Sequence, residues 1–290
     1  MDDGQLRRIS YTSTVDRKER DFFLFLPRGY DREGTRRWPV MLFLHGDGER
    51  GDGKDDLDYL LKNGPLYEAW IQKKDLPFLI VSPQLHMFRR DRPGGPPYLV
   101  NRSRSEIPRR LAEGVPAHNR DALTPPPMAG ALPAEDFPFV NSPPGDGWDQ
   151  VEKDLVGILD TVLAGFRADP TRVYLTGLSY GGWGTWFLAS RHPEVFAAIG
   201  PVVGWGHPDL MEPLARADMP VWAFSGGKDD SVKTKYFFSG LNRLKALGAS
   251  NVRFTTHQDM GHDVWNRVYA SRDFYDWLLG FSRQQPAASS

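Results

Sequence analysis

Apolar residues fall along this chain in two alternating periods. Residues 9–15 alternate apolar with polar, 16–20 are charged and 22–26 are apolar again, the pattern of an antiparallel hairpin. Residues 38–44 form an unbroken apolar run that ends in His45-Gly46. Unbroken runs of this length suit strands covered on both faces, as in a sheet flanked by helices. Shorter runs recur at 78–81, 173–176, 197–203, 221–224 and 252–255. Between them the period lengthens to that of a helix. Over 150–166, Val151, Leu155, Ile158, Leu159, Val162 and Phe166 share one face, and Asp149 with Glu152 makes a capping-box-like start. Further helices are predicted over 182–191, stopped by Pro193, over 232–247 with Phe237, Leu241 and Leu244 inward and Gly248 as the stop, and over 271–281. Strands alternating with helices imply right-handed crossovers. The fold class is therefore α/β: a mostly parallel central sheet with an antiparallel N-terminal hairpin, helices on both faces, and a ligand site at the carboxyl ends of the strands.

One stretch follows neither period. Residues 86–147 hold half of the chain's 24 prolines, together with eight arginines and scattered aromatics including Phe88, Tyr98, Phe137 and Phe139. They read as an insertion within a single domain spanning 1–290, and loops of such length are commonly lids or binding loops. The expectation is a lid or cap over the site, with a solvent-exposed excursion that has no part in the chemistry as the alternative, and with Trp205 and Trp148 as substrate-pocket walls.

Composition narrows the chemistry. Thirty-six basic against 37 acidic residues leave a net charge of -1, which offers no footprint for nucleic acid or an anionic membrane surface. With no cysteine among 290 residues, thiol catalysis, disulfides and Cys-ligated zinc are excluded, leaving hydroxyl, imidazole and carboxylate groups. No metal or other cofactor is expected. The first ten residues lack the apolar core of a signal peptide, and no run reaches the roughly 20 apolar residues of a spanning helix. The expected location is the cytoplasm, or the periplasm or exterior had a leader been removed; the polar tail 284–290 reads as a frayed end. Oligomeric state has no signature here.

The sharpest motif is Gly177-Leu178-Ser179-Tyr180-Gly181, lying after the run 173–176 and before the helix near 182. A serine between two glycines at a strand-to-helix turn has its Oγ raised above the sheet, the setting of a nucleophile elbow. Such a serine needs a base. His262, in Gly261-His262-Asp263 past the run 252–255, suits that role better than His257 at the strand's own end. An acid should stand between the two, after the strand 221–224. Asp229 is preferred there over Asp230. Backbone amides of Tyr180 and Asp47 would hold a developing oxyanion, in which case the Asp47 side chain matters little and His45 braces the loop.

Taken together, several segments resemble the α/β-hydrolase esterases often labelled predicted peptidases, which are related to polyhydroxybutyrate-depolymerase-like and feruloyl-esterase-like enzymes. The likeness rests on residues 43–51 (FLHGDGERG), 63–65 (NGP), 82–84 (SPQ), 172–182 (RVYLTGLSYGG), 222–224 (WAF) with 226–229 (GGKD), and on 261–263 (GHD) followed by Trp265. Carried over, the family's triad falls on Ser179, Asp229 and His262. Ser225 stands where such relatives commonly have histidine, which implies a change of local bracing only. The resemblance implies hydrolysis of a small-molecule carboxylic ester through an acyl-enzyme intermediate. Peptide hydrolysis by the same residues, or a non-catalytic binding role for the fold, remain the alternatives.

Overall fold

The computed structural model describes residues 4–31, 34–110 and 147–283. Its eight strands are β1 (Gln5–Thr12), β2 (Glu19–Leu26), β3 (Trp38–Leu44), β4 (Leu79–Pro83), β5 (Ala168–Leu178), β6 (Ala198–Val202), β7 (Val221–Gly226) and β8 (Val252–His257). They form one sheet in the order β1-β2-β4-β3-β5-β6-β7-β8. β2 pairs antiparallel with β1 and β4, and every other pairing is parallel. β3 thus has β4 on one side and β5 on the other, the point of reversal at which open α/β sheets bind ligands. There Leu44 lies in register with Gly177, so the ends of β3 and β5 face the same crevice.

The pleat explains why β3 is apolar without interruption. Val40, Leu42 and Leu44 enter one core while Met41 and Phe43 enter the other. Seven helices are described: α1 (Pro97–Val100), α2 (Glu152–Gly165), α3 (Tyr180–Arg191), α4 (Met211–Arg216), α5 (Phe238–Ala246), α6 (Trp265–Ala270) and α7 (Arg272–Leu279). The first core receives α2, α3, α4 and α5 through Leu155, Ile158, Trp186, Leu214 and Leu241. α6 and α7 cover the opposite face through Val268, Phe274 and Leu278. At about 1.5–3 kcal/mol for each fully buried large apolar side chain, these two layers dominate the cohesion of the sheet.

Two local expectations are corrected. The Asp149–Glu152 capping box does not form: the chain makes a 3-10 turn over Trp148–Val151 before α2, with no side-chain cap. Glu152 Oε1 instead meets His192 Nε2 at 2.8 Å, a partner 40 residues away that outcompetes the local cap. The helix expected from 232 begins later, as a 3-10 turn at Thr234–Phe237 leading into α5. The reason lies upstream, where Asp229 Oδ1 accepts hydrogen bonds from the amides of Ser231 (2.8 Å) and Val232 (2.9 Å) and holds them out of helical geometry. Gly248 ends α5 as expected, at φ +84 with its amide on the Lys245 carbonyl and the Ala249 amide on that of Leu244.

The insertion leaves β4 and returns along residues 47–70. His86 bridges to Gly51, Arg102 pairs with Asp56 at 2.5 Å, and Lys62 pairs with Glu106 at 2.5 Å. Arg110 stacks 3.9 Å from the Trp70 ring and donates to its carbonyl. Its arginines are thus partly spent on the acids and aromatics of the segment beneath. The rest of the expected lid, 111–146, and the tail 284–290 lie outside the described residues. Among the described residues no helix is long and apolar enough to cross a membrane.

Candidate active site

β5 ends at Leu178 and α3 begins at Tyr180, which leaves Ser179 alone at the bend with φ 52 and ψ −115. An L residue avoids this region, so the surroundings must impose it. They do so from both sides: the Ser179 amide donates to the Val202 carbonyl at 2.8 Å, and the Ser179 carbonyl accepts from the Trp183 amide at 3.2 Å. The turn also needs a bare α-carbon at Gly181, where any Cβ would overlap the carbonyls of Leu44 and His45 at the end of β3.

Ser179, His262 and Asp229 come together from three strand ends. His262 Nε2 lies 2.9 Å from Ser179 Oγ, and His262 Nδ1 lies 2.7 Å from Asp229 Oδ2. Burial alone would raise the pKa of Asp229. The hydrogen bonds from His262 and from the amides of Val232 and Ser231 outweigh it and hold the carboxyl below its ordinary range. An ionised Asp229 accepts the Nδ1 proton, which leaves the Nε2 lone pair facing the serine hydroxyl. Asp230 is exposed, and His257 Nδ1 sits 3.2 Å from an Arg267 nitrogen with its pKa pushed down by burial to about 4. Ser225 Oγ reaches Thr256 and Thr234 hydroxyls at 2.9 and 3.1 Å, a local brace on β7.

Asp47 opens a 3-10 turn directly after β3, and Tyr180 is the first residue of α3, where amides have no carbonyl of their own helix to bind. A methyl group on Gly46 would come within 3.5 Å of Ser179 Cβ, so this loop passes beside the serine. His45 braces it: buried, with a pKa pushed down by burial to about 3, the neutral ring spans from the Gly46 carbonyl (Nδ1, 2.6 Å) to the Leu85 amide (Nε2, 2.8 Å). The Asp47 side chain, expected to matter little, is not free in the structure. Its carboxylate takes Arg50 Nε at 2.5 Å, Arg90 Nη2 at 2.8 Å and the Tyr98 hydroxyl at 2.7 Å. Burial would raise its pKa, and the Arg50 guanidinium with the Tyr98 and Arg90 contacts lowers it below the ordinary range. Asp47→Ala keeps the amide and frees the turn, so kcat for an ester should fall about ten- to a hundredfold with the fold intact. A steady-state assay beside a melting curve checks this, and an unchanged kcat would show the clamp to be idle.

A cavity of about 470 Å³ opens over Ser179 and His262, walled by Tyr98, Leu178, Val232 and Trp265. Neither expected tryptophan lines it among the described residues. Trp148 is wholly buried behind His45, at 4.9 Å between ring centroids, and Trp205 packs at the edge of the core beside His207. Tyr98, Trp265 and the buried Glu49 were missed as site residues. The only signal was their place in unusual loop motifs, since no period marks a loop side chain. Among the described residues no cluster of three or more His, Asp or Glu could hold a metal ion.

Residues 145–218 match the esterase PHB depolymerase family. Over 47 residues, 16% of this chain and 11% of the other, the sequence is 43% identical to poly(3-hydroxyalkanoate) depolymerase C of Paucimonas lemoignei. The chain thus spans about a tenth of that relative. The crystal structure of a thermostable esterase aligns with TM-score 0.66 and 22% identity over 96% of this chain and 63% of its own. A ferulic acid esterase from the anaerobic fungus Anaeromyces mucronatus aligns with TM-score 0.53 and 17% identity over 96% and 90%. The chain has the α/β-hydrolase fold, and the stretch that carries its Ser179 bend is the one that matches the esterase PHB depolymerase family.

Proposed function

We propose that this protein is a serine hydrolase of carboxylic esters that works through an acyl-enzyme intermediate. The observation that carries the reading is the unbroken hydrogen-bonded line from Asp229 through His262 to Ser179 Oγ at the floor of the cavity. Ser179 Oγ attacks the ester carbonyl carbon while His262 Nε2 takes its proton. The carbonyl oxygen becomes an oxyanion, for which the amides of Asp47 and Tyr180 are the candidate donors. Collapse breaks the bond to the alcohol oxygen, and His262 returns the proton to that leaving group. Water then attacks the acyl-Ser179 ester, again giving a proton to His262, and the acid departs as Ser179 recovers its hydrogen. Asp229 stays ionised throughout and stabilises the imidazolium formed in each half. The substrate is a small-molecule ester, with no metal required for any step.

A pre-steady-state assay tests this. Mixing the protein with a short-chain p-nitrophenyl ester should release a burst of p-nitrophenol equal to the enzyme concentration, and a fluorophosphonate probe should add one label to the peptide that holds Ser179. A folded protein that shows neither turnover nor labelling would overturn the proposal. Label on a different residue would move the nucleophile.

A further inference from the structure

The loop that carries Asp47 and the loop that carries His262 are tied together by one amide side chain. Glu49, buried at 7% exposure, holds its carboxylate against Asn63, whose Nδ2 donates to Oε1 at 2.6 Å. At its other end Asn63 Oδ1 accepts the indole N–H of Trp265 at 3.1 Å. That indole stands edge-on to the His262 ring, 5.2 Å between centroids at 90°. Each end of the Asn63 amide can play one role only, because a reversed amide would set NH₂ against the indole N–H and oxygen against the carboxylate.

From these contacts we infer that Glu49, Asn63 and Trp265 form a strut that keeps the Asp47 amide and the His262 imidazole in register. They are positioning residues for the reaction proposed above, and the inference rests on that reading. The sheet alone cannot supply this register. β3 and β8, which feed the two loops, have β5, β6 and β7 between them, a span of roughly 19 Å at the usual strand spacing. Acyl transfer needs both loops at once, since the oxyanion must meet its donors at the moment the imidazole meets the hydroxyl proton, and small misplacement of either costs rate. The strut links the two loops through side chains above the sheet, from Glu49, two positions after Asp47, to the ring three positions after His262. Burial raises the pKa of Glu49, a desolvated carboxyl that packing alone would not favour in such a place.

A kinetic double-mutant cycle tests it. Glu49→Met keeps the length but has no oxygen to accept from Asn63. Trp265→Phe keeps an aromatic edge near His262 and deletes the N–H, and Asn63→Leu cuts both bonds. Each should lower kcat about ten- to thirtyfold with KM within about threefold, and fluorophosphonate labelling should stay stoichiometric. The Glu49→Met/Trp265→Phe double variant should fall no further than Asn63→Leu, because a broken strut cannot be broken twice. Losses that multiply in the double variant, or that appear in KM with kcat unchanged, would overturn the strut. Should Asn63→Leu fail to fold, the other two variants and their double still close the cycle. Wild-type protein that takes no label would sink the hydrolase reading itself, a failure distinct from losses that multiply.

Discussion

Ser179→Ala should lower kcat for a short-chain ester by about a million-fold, the scale of loss when the nucleophile or base of a triad is deleted. The side chain offers little besides its chemistry: Oγ meets His262 Nε2 at 2.9 Å, and the strained bend is held by main-chain bonds to Val202 and Trp183 that alanine keeps. The variant should therefore melt close to the wild type and take no fluorophosphonate label. Some rate above the uncatalysed reaction should survive, because the cavity and any oxyanion donors remain. Folded Ser179→Ala protein within about tenfold of the wild-type rate would place the nucleophile elsewhere. Deletion of the hydroxyl thus separates the chemistry of residue 179 from the architecture around it.

That architecture was legible wherever burial imposed a period. β3 matches its apolar run residue for residue, because helices cover both of its faces and leave no polar position in it. β5 runs five residues earlier than its apolar signal: Ala168–Arg172 pairs beside Trp38 while Asp169, Thr171 and Arg172 satisfy one another at the surface, so strand geometry there carries no apolar mark. The three residues of the hydrogen-bonded line, Ser179, His262 and Asp229, were readable because chain order and strand ends restrict each to one or two positions. The pocket was not. Asp47 meets Arg90 and Tyr98 at 43 and 51 positions' distance, and Asn63 meets Trp265 across 202. Only the assembled sheet brings such loops together. Trp148 shows the converse error, since an aromatic near a site in sequence can face the core, here against His45 and the bare α-carbon of Gly184.

Asp229→Asn should cost about ten-thousand-fold in kcat while leaving the site assembled. The Asn oxygen can still accept from the amides of Ser231 and Val232, which keeps the turn before α5 in place. Its NH₂ then faces His262 Nδ1 and needs an acceptor there, so the imidazole proton moves to Nε2 and points at the serine hydroxyl. A ring protonated on that side cannot take the proton of Ser179. The same carboxylate makes a stability prediction of definite sign. Its folded pKa lies below the ordinary value, so its contribution is fully present above about pH 4 and is lost as pH falls through the folded value. The melting temperature of Asp229→Asn should trail the wild type at pH 7, and the gap should close in acid. Asp230→Asn, at an exposed position beside it, should match the wild type in rate and in melting at both pH values. A collapse of activity in that variant, with Asp229→Asn active, would transfer the acid's role to residue 230, whereas a stability gap independent of pH would mean that Asp229 is not held ionised by its neighbours.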